Sequence, residues 1–250
     1  TRGVAPLFER YATRVVQELG DLCDFWVTIN EPTVYLYAGY VSGNWTPGKK
    51  NFSLAMRVGE NMLRAHVAAY HAIHRVQPHA HVGLANSITP LVPANPRSWL
   101  NRTLAAFQHR TYNHLLLLAL EDGRMRFPMG NARIPEAIGA QDFIGVNYYF
   151  ARRIAIDLAQ PSQLFARPLP PQPWGVPYDD ELNQWFGKGE IAPAAFAETL
   201  QLMHELVLRL RIVRLERQRP AVAGHRFFLK TLVLQRNAQV VAGFGVSRVE

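Results

Sequence analysis

The 250-residue sequence has one cysteine, few charged side chains and no apolar run long enough to cross a membrane. The single Cys23 excludes an internal disulfide and is no metal site by itself; its simplest role is a buried small hydrophobe in a reducing compartment, so a cytoplasmic location is expected. Charged residues make up 18% of the chain and apolar ones 48%, which points to a sizeable core rather than disorder. The opening stretch "TRGVAPLFERYATRVV" has no apolar core of the kind a signal peptide carries, and it begins with Thr, as a cut end would. No repeat period or low-complexity tract is present.

The net charge of +8 suggests a nucleic-acid partner only until it is divided along the chain. Of the 27 Lys and Arg, nine fall in residues 207–250 with two Glu, leaving 18 basic and 17 acidic residues in 1–206. The basic character therefore belongs to the tail. That tail has no Asp, Tyr, Trp, Met or Cys and is rich in Val and Leu. A nucleic-acid arm would interleave aromatics or glycine with its charge, so no nucleic-acid partner is expected.

Periodicity gives a coarse order of elements. Leu7, Phe8, Tyr11, Val15 and Leu19 fit a helix over 6–20, stopped by Gly20. A strand over 24–30 follows, then a long helix over 53–77 with Ser53 as its cap and Pro78 beyond its end. "HVGLANSI" (81–88) reads as a buried strand, "PLVPANP" as a proline-broken loop, and 98–121 as another long helix. "DFIGVNYYF" (142–150) is a strand, 161–177 a proline-rich loop, and 193–206 a helix. Strands separated by helices of this length argue for parallel βαβ units, three of them, in an α/β fold.

The stretch "WVTINEP" (26–32) carries the chemistry. Its β-branched residues favour a strand, and Pro32 stops it, so Asn30 and Glu31 fall at the C-terminal end of a largely buried strand. Glu31 could cap the following helix or pair with an arginine. Alternatively, a carboxylate at this end of a barrel strand lies where such enzymes place catalysis, and partial burial raises a carboxyl's pKa as a general acid requires. In "GVNYY", Asn147 and Tyr149 are two apart and point to one side of a strand. Asn147 could bond a sugar hydroxyl and the Tyr149 phenol could hold a neighbouring carboxylate ionised, or the tyrosines could be core aromatics. Trp45 and Trp174, in strand-end loops, could stack on a sugar or anchor their loops. "GNWTPGKK" (43–50) mimics a phosphate loop but has Lys50 where Ser or Thr is required. His66, His71 and His74 share one helix without a third-ligand pattern, so they read as helix-face residues and no metal is expected.

"WVTINEP" followed about 115 residues later by "DFIGVNYY" resembles glycoside hydrolase family 1, the β-glucosidase and β-galactosidase group. "FERYA", "CDFW", "AGYVSGNWTPG", "RAHVAAYHA" and "VGLANSITP" extend the resemblance over about residues 5–206. It implies a (β/α)8 TIM barrel, present here in part, and a cofactor-free retaining β-glycosidase acting on a small-molecule glycoside. By the same resemblance Glu31 is the acid/base, Asn30 holds the sugar 2-hydroxyl, and Asn147 and Tyr149 line the glycone site.

The family's second glutamate, in a Thr-Glu-Asn-Gly motif on a later strand, has no counterpart here. After "LQLMHEL" comes "VLRLRIVRLERQRPAVAGHRFF", where Glu216 is the one nearby acid and a displaced nucleophile at most. The expectation is therefore two parts: a partial barrel over 1–206 and an atypical basic tail over 207–250, read as out of register, in a chain that is inactive alone. Two other readings stay open: another retaining barrel hydrolase with Asn-Glu-Pro, such as a cellulase-like enzyme, and a non-catalytic remnant or basic interaction module.

Overall fold

The computed structural model describes residues 3–161, 164–170 and 193–209. The tail 207–250 beyond Arg209, Trp174 and Glu216 lie outside the described residues. Three strands form a parallel sheet in chain order: β1 (Phe25–Asn30), β2 (His81–Ser87) and β4 (Phe143–Asn147). The crossover from β1 to β2 runs through α2 (Pro32–Leu36), a π-turn (Tyr37–Val41) and α3 (Phe52–Val76). The crossover from β2 to β4 runs through β3 (Leu91–Pro93), α4 (Trp99–Asn113) and α5 (Leu115–Asp122). These are two βαβ units, not the three expected, and parallel neighbours need such long connections. Among the described residues α1 (Val4–Leu19) precedes the sheet and α6 (Pro193–Arg209) follows it.

Several local expectations are corrected. In α1 the buried residues are Ala12 and Val16, with Phe8 packed beside them, whereas Leu7, Tyr11 and Leu19 are exposed. Small Ala12 and the equally small Ala69 of α3 let the two helices approach closely, and that contact decides which face turns inward. Gly20 ends α1 as expected, since a side chain there would meet the Val16 carbonyl at 2.6 Å. The cap of α3 is Asn51 rather than Ser53; its Oδ1 accepts the Leu54 amide at 2.9 Å, which starts the helix one residue earlier.

The helix expected over 98–121 is two helices. Asn113 turns its side chain onto the strand-end segment, accepting from the Thr89 amide (3.0 Å) and donating to the Thr89 carbonyl (2.8 Å). The backbone breaks at His114, and α5 then runs into the core with its apolar Leu115 to Leu120 buried, ahead of Glu121 and Asp122 at its end. Gly123 closes α5 at φ +70, a left-handed turn that also leaves no room for a Cβ against Ile134.

The proline-broken "PLVPANP" contains β3, which pairs with β5 (Arg152–Ile156), itself antiparallel to β6 (Ala166–Pro168). Pro93 is tolerated because β3 is the edge of this second sheet. The strand expected over 142–150 ends at Asn147, and Tyr148 and Tyr149 leave it.

The main core joins Leu63 and Val67 of α3, Leu84 of β2, the leucines of α5, and Met203 and Leu206 of α6. β1 is not the buried strand expected: Phe25 and Val27 are 49% and 50% exposed. Among the described residues β1 has a sheet neighbour only on its β2 side, which leaves its other edge unpaired, and the face that carries Phe25 and Val27 stays half exposed. Cys23 is likewise not buried. It is partly exposed, with Sγ on the Phe25 carbonyl at 3.0 Å.

The α3 histidines are cross-links, not plain helix-face residues. His66 is fully buried, with Nε2 donating to the Ala140 carbonyl (2.7 Å) and Nδ1 accepting from the Thr28 hydroxyl (2.6 Å). Burial pushes its pKa down to about 4, so it stays a neutral bridge between β1 and the β4 approach. His71 meets the Glu136 carbonyl. No group of three side chains able to hold a metal occurs among the described residues.

Asp142, just before β4, accepts from His74 Nε2 (2.8 Å), the Tyr70 hydroxyl (2.9 Å) and the Val82 amide (2.9 Å). Burial alone would raise this carboxyl, but the three donors outweigh it and hold it below the ordinary range. The same hydrogen bond lifts His74 above 6.5. Asp142 stabilises the fold above its unfolded pKa of 3.8 and stops doing so as pH falls through its lower folded value. His74 contributes fully below 6.5 and less as pH rises through its raised folded value. Asp142→Asn should therefore cost about 1–3 kcal/mol near pH 5.5 and less near about pH 9, read by urea unfolding. An equal cost at both would show that charge plays no part in the link.

Candidate active site

The site is built where β1 and β4 end on the same side of the sheet. Parallel register sets Asn30 beside Ala85 and Ser87 beside Asn147, so β1, β2 and β4 finish nearly level. The register of β1 slips between Val27 and Asn30, and the Glu31 amide then donates to the Ala85 carbonyl at 2.7 Å. Pro32 cannot donate to the sheet and begins α2, which leaves Glu31 at the helix's leading position.

Glu31 adopts φ 51 and ψ 53, a left-handed conformation uncommon for a residue with a side chain. Such backbone costs on the order of 1–3 kcal/mol and persists only where its surroundings hold it. Here the Ala85 bond on one side and the Tyr35 amide on the Glu31 carbonyl (3.1 Å) on the other do so. Both bland roles for this acid fail. Its side chain makes no cap bond to α2, and no arginine pairs with it among the described residues. The carboxylate is 9% exposed and is turned instead toward β4.

Asn147 spans the width of β2 to meet it. Its Nδ2 donates to Glu31 Oε1 at 2.8 Å and to Asn30 Oδ1 at 3.0 Å. One amide thus orients both neighbours, and it commits the Asn30 oxygen inward while Asn30 itself stays exposed. Tyr149 also bonds the carboxylate, although it has left the strand and does not share a strand face with Asn147 in the sense expected. Its phenol is raised by burial first, then by the Glu31 charge and by the bond to it. All four residues singled out in the sequence, Asn30, Glu31, Asn147 and Tyr149, therefore stand together.

A further tyrosine was not legible in the sequence. Tyr112 of α4 is pushed up to about 12, chiefly by burial; the Arg152 charge and a hydrogen bond with Ser87 oppose the rise, and the Glu31 charge adds a smaller part. It lies within a run read simply as helix, and nothing in its spacing marks it. Tyr148 packs on Phe196 of α6, ring centres 4.7 Å apart, and so ties that helix to the end of β4. Trp45 is half-buried in a loop folded back on the π-turn, with its amide on the Ala38 carbonyl at 3.0 Å. That loop, "GNWTPGKK", follows a helix rather than a strand, so it is no phosphate loop.

A buried carboxyl group oriented by an amide and a phenol at the open end of a sheet is placed to exchange a proton with an oxygen above it. Glu31→Gln should keep the burial of Tyr149 but remove the charge. Its phenol should then ionise at lower pH, toward 10.0, in an NMR titration of ring-labelled tyrosine assigned with Tyr149→Phe. An unchanged titration would mean that phenol and carboxylate do not interact.

Comparison with known proteins gives a consistent set of matches. The sequence profile described as Glycosyl hydrolase family 1 matches residues 1–206. The 1,4-beta-D-glucan glucohydrolase of Thermotoga neapolitana is 28% identical over 202 residues, covering 75% of this chain and 47% of that protein. The beta-glucosidase of Agrobacterium sp. is 28% identical over 221 residues, covering 82% and 46%. The solved beta-glycosidase from Pyrococcus horikoshii superposes with a TM-score of 0.70 at 26% identity, covering 82% of this chain and 45% of that one. The chain thus spans about half the length of the curated relatives it matches, and its parallel sheet is part of a (β/α)8 barrel.

Proposed function

The chain belongs to glycosyl hydrolase family 1, and from that premise we propose that it carries the acid/base side of a retaining β-glycosidase acting on β-glucosides or related β-glycosides. One observation supports this most: a buried carboxylate at the end of β1, neither cap nor ion-pair member, that takes the Asn147 amide and the Tyr149 phenol. In this reading Glu31 protonates the glycosidic oxygen as the aglycone leaves, then takes a proton from the water that releases the sugar. Asn30 holds the sugar 2-hydroxyl, and Asn147 and Tyr149 line the glycone side.

The nucleophile lies elsewhere. The ends of β1, β2 and β4 carry one carboxylate among them, Glu31, while retention needs a second about 5–5.5 Å away. Glu216 lies outside the described residues. The partner is a small glycoside, and neither cofactor nor nucleic acid enters the reading. No helix among the described residues is long and apolar enough to cross a membrane. A cytoplasmic location rests on the single cysteine alone.

In an intact barrel carrying this segment, Glu31→Gln should nearly abolish hydrolysis of alkyl glycosides but spare the glycosylation step on aryl glycosides with good leaving groups. Only a poor leaving group needs the proton, which is worth about 10²–10⁴-fold. Equal losses on both in single-turnover measurements would remove the acid role. The 250-residue chain alone should show background turnover only, and a stoichiometric 2-fluoro-sugar adduct on any glutamate would overturn that.

Residues 207–250 lie beyond the family match. We propose that they continue the family's sequence out of register, because the composition changes within the last turn of α6. Another frame of the gene after codon 206 should encode a Thr-Glu-Asn-Gly-like string. Its absence from both frames would favour a basic arm, recognisable by salt-dependent DNA binding.

A further inference from the structure

Arg152, the first residue of β5, is a cation that the glycosidase reading does not use. Its Nε is buried and has no hydrogen-bond partner. The guanidinium lies over the Phe150 ring, 5.0 Å from its centre. It faces a cavity of about 80 Å³ between α4 and the β3-β5-β6 sheet, lined also by Tyr37, Thr89, Gln108 and Tyr112. Among the described residues that lining contains no carboxylate.

A charge in this position calls for a partner. Taking an ion out of water costs several kcal/mol even after relaxation, while a ring beneath a cation returns only about 0.5–2 kcal/mol. Arginine cannot escape by losing its proton. Nor do the phenols supply the missing charge: burial raises both Tyr37 and Tyr112, so each stays neutral near pH 7 and keeps a hydroxyl hydrogen. Cation and hydroxyls together make a lining suited to an acceptor of negative charge, while the Gln108 amide is engaged with the Leu164 carbonyl at 3.0 Å. A water's share of liquid volume is about 30 Å³, so the space admits a few waters or one small anion.

We propose that this cavity is an anion site, in which the Arg152 guanidinium pairs with one small oxyanion at a place separate from the Glu31 carboxylate. The guanidinium fork matches the oxygens of a carboxylate or a tetrahedral oxyanion, whereas a spherical halide offers it one point only. Glu31 is absent from the cavity lining, and Tyr112 is the side chain that senses both charges.

The test is thermal unfolding of the 250-residue chain in acetate, sulfate and chloride at matched ionic strength. Acetate or sulfate should raise the midpoint saturably and chloride should not; a response to acetate alone would make the ligand a carboxylate, and one to sulfate as well a general oxyanion. Arg152→Met should weaken the saturable part at least about tenfold, the equivalent of one charge-assisted hydrogen bond. Arg153→Met should not, because that guanidinium reaches out to the Pro170 carbonyl. Should Arg152→Met fail to fold, the Arg152 Nε–H resonance of the unmutated chain should still shift along the acetate or sulfate titration. A midpoint that does not respond, a response that survives Arg152→Met, or an unmoved Nε–H resonance overturns the proposal. An acid from another part of the chain already seated on Arg152 would give that silent result.

Discussion

Everything at the candidate site depends on the parallel register of β1, β2 and β4. Glu31 and Asn147 are 116 residues apart, yet their side chains meet at 2.8 Å because three strands end level and β2 separates them by one strand's width. A slip of one residue in either pairing would turn Asn147 to the opposite face. The register is in turn fixed from below. Asp142 grips the first turn of the sheet through the Val82 amide and two side chains of α3, and neutral His66 ties Thr28 to Ala140. Buried polar links of this kind tolerate little displacement, since a lost partner leaves a desolvated group unpaired.

The apolar part of the fold is less even. α5 is buried on every side and α6 closes over β4, but the far side of β1 keeps Phe25 and Val27 half exposed. In a (β/α)8 barrel each strand has neighbours on both edges and a helix outside it. The open side of β1 is where such a neighbour would lie, which fits a chain spanning about half the length of its relatives. The site's own geometry does not wait for that closure. Glu31, Asn30, Asn147 and Tyr149 assemble from the ends of two strands and the loop after one of them, and the strained backbone at Glu31 is held by β2 and α2 alone.

Two buried charges flank α4 by different means. Glu31 is surrounded by donors, as a carboxylate near a reacting oxygen should be. Arg152 is surrounded by phenols, a hydroxyl and an amide, with an aromatic ring beneath it and no acid among the described residues that line its cavity. Tyr112, kept neutral by burial, feels both charges, the arginine lowering its phenol and the glutamate raising it.

Local chemistry made the strands, the helices and the chemical centre legible in the sequence. β-branched runs ended by Pro32, helical apolar spacing stopped by Gly20 and Pro78, and Asn-Glu-Pro at a strand end all act over a few residues, so they can be read without neighbours. What the tertiary structure alone decided involves partners distant in sequence. The inward face of α1 follows from the fit of Ala12 to Ala69, not from its larger apolar residues. The split of α4 from α5 follows from the grip of Asn113 on Thr89. Tyr149 reaches Glu31 only because the chain leaves the strand after Asn147, and Arg152 meets the Tyr37 and Tyr112 side chains because β5 pairs with β3 beside α4. Periodicity encodes that a segment has an apolar face, but which face is buried and which charge is left alone depend on side chains that meet only when the chain has folded.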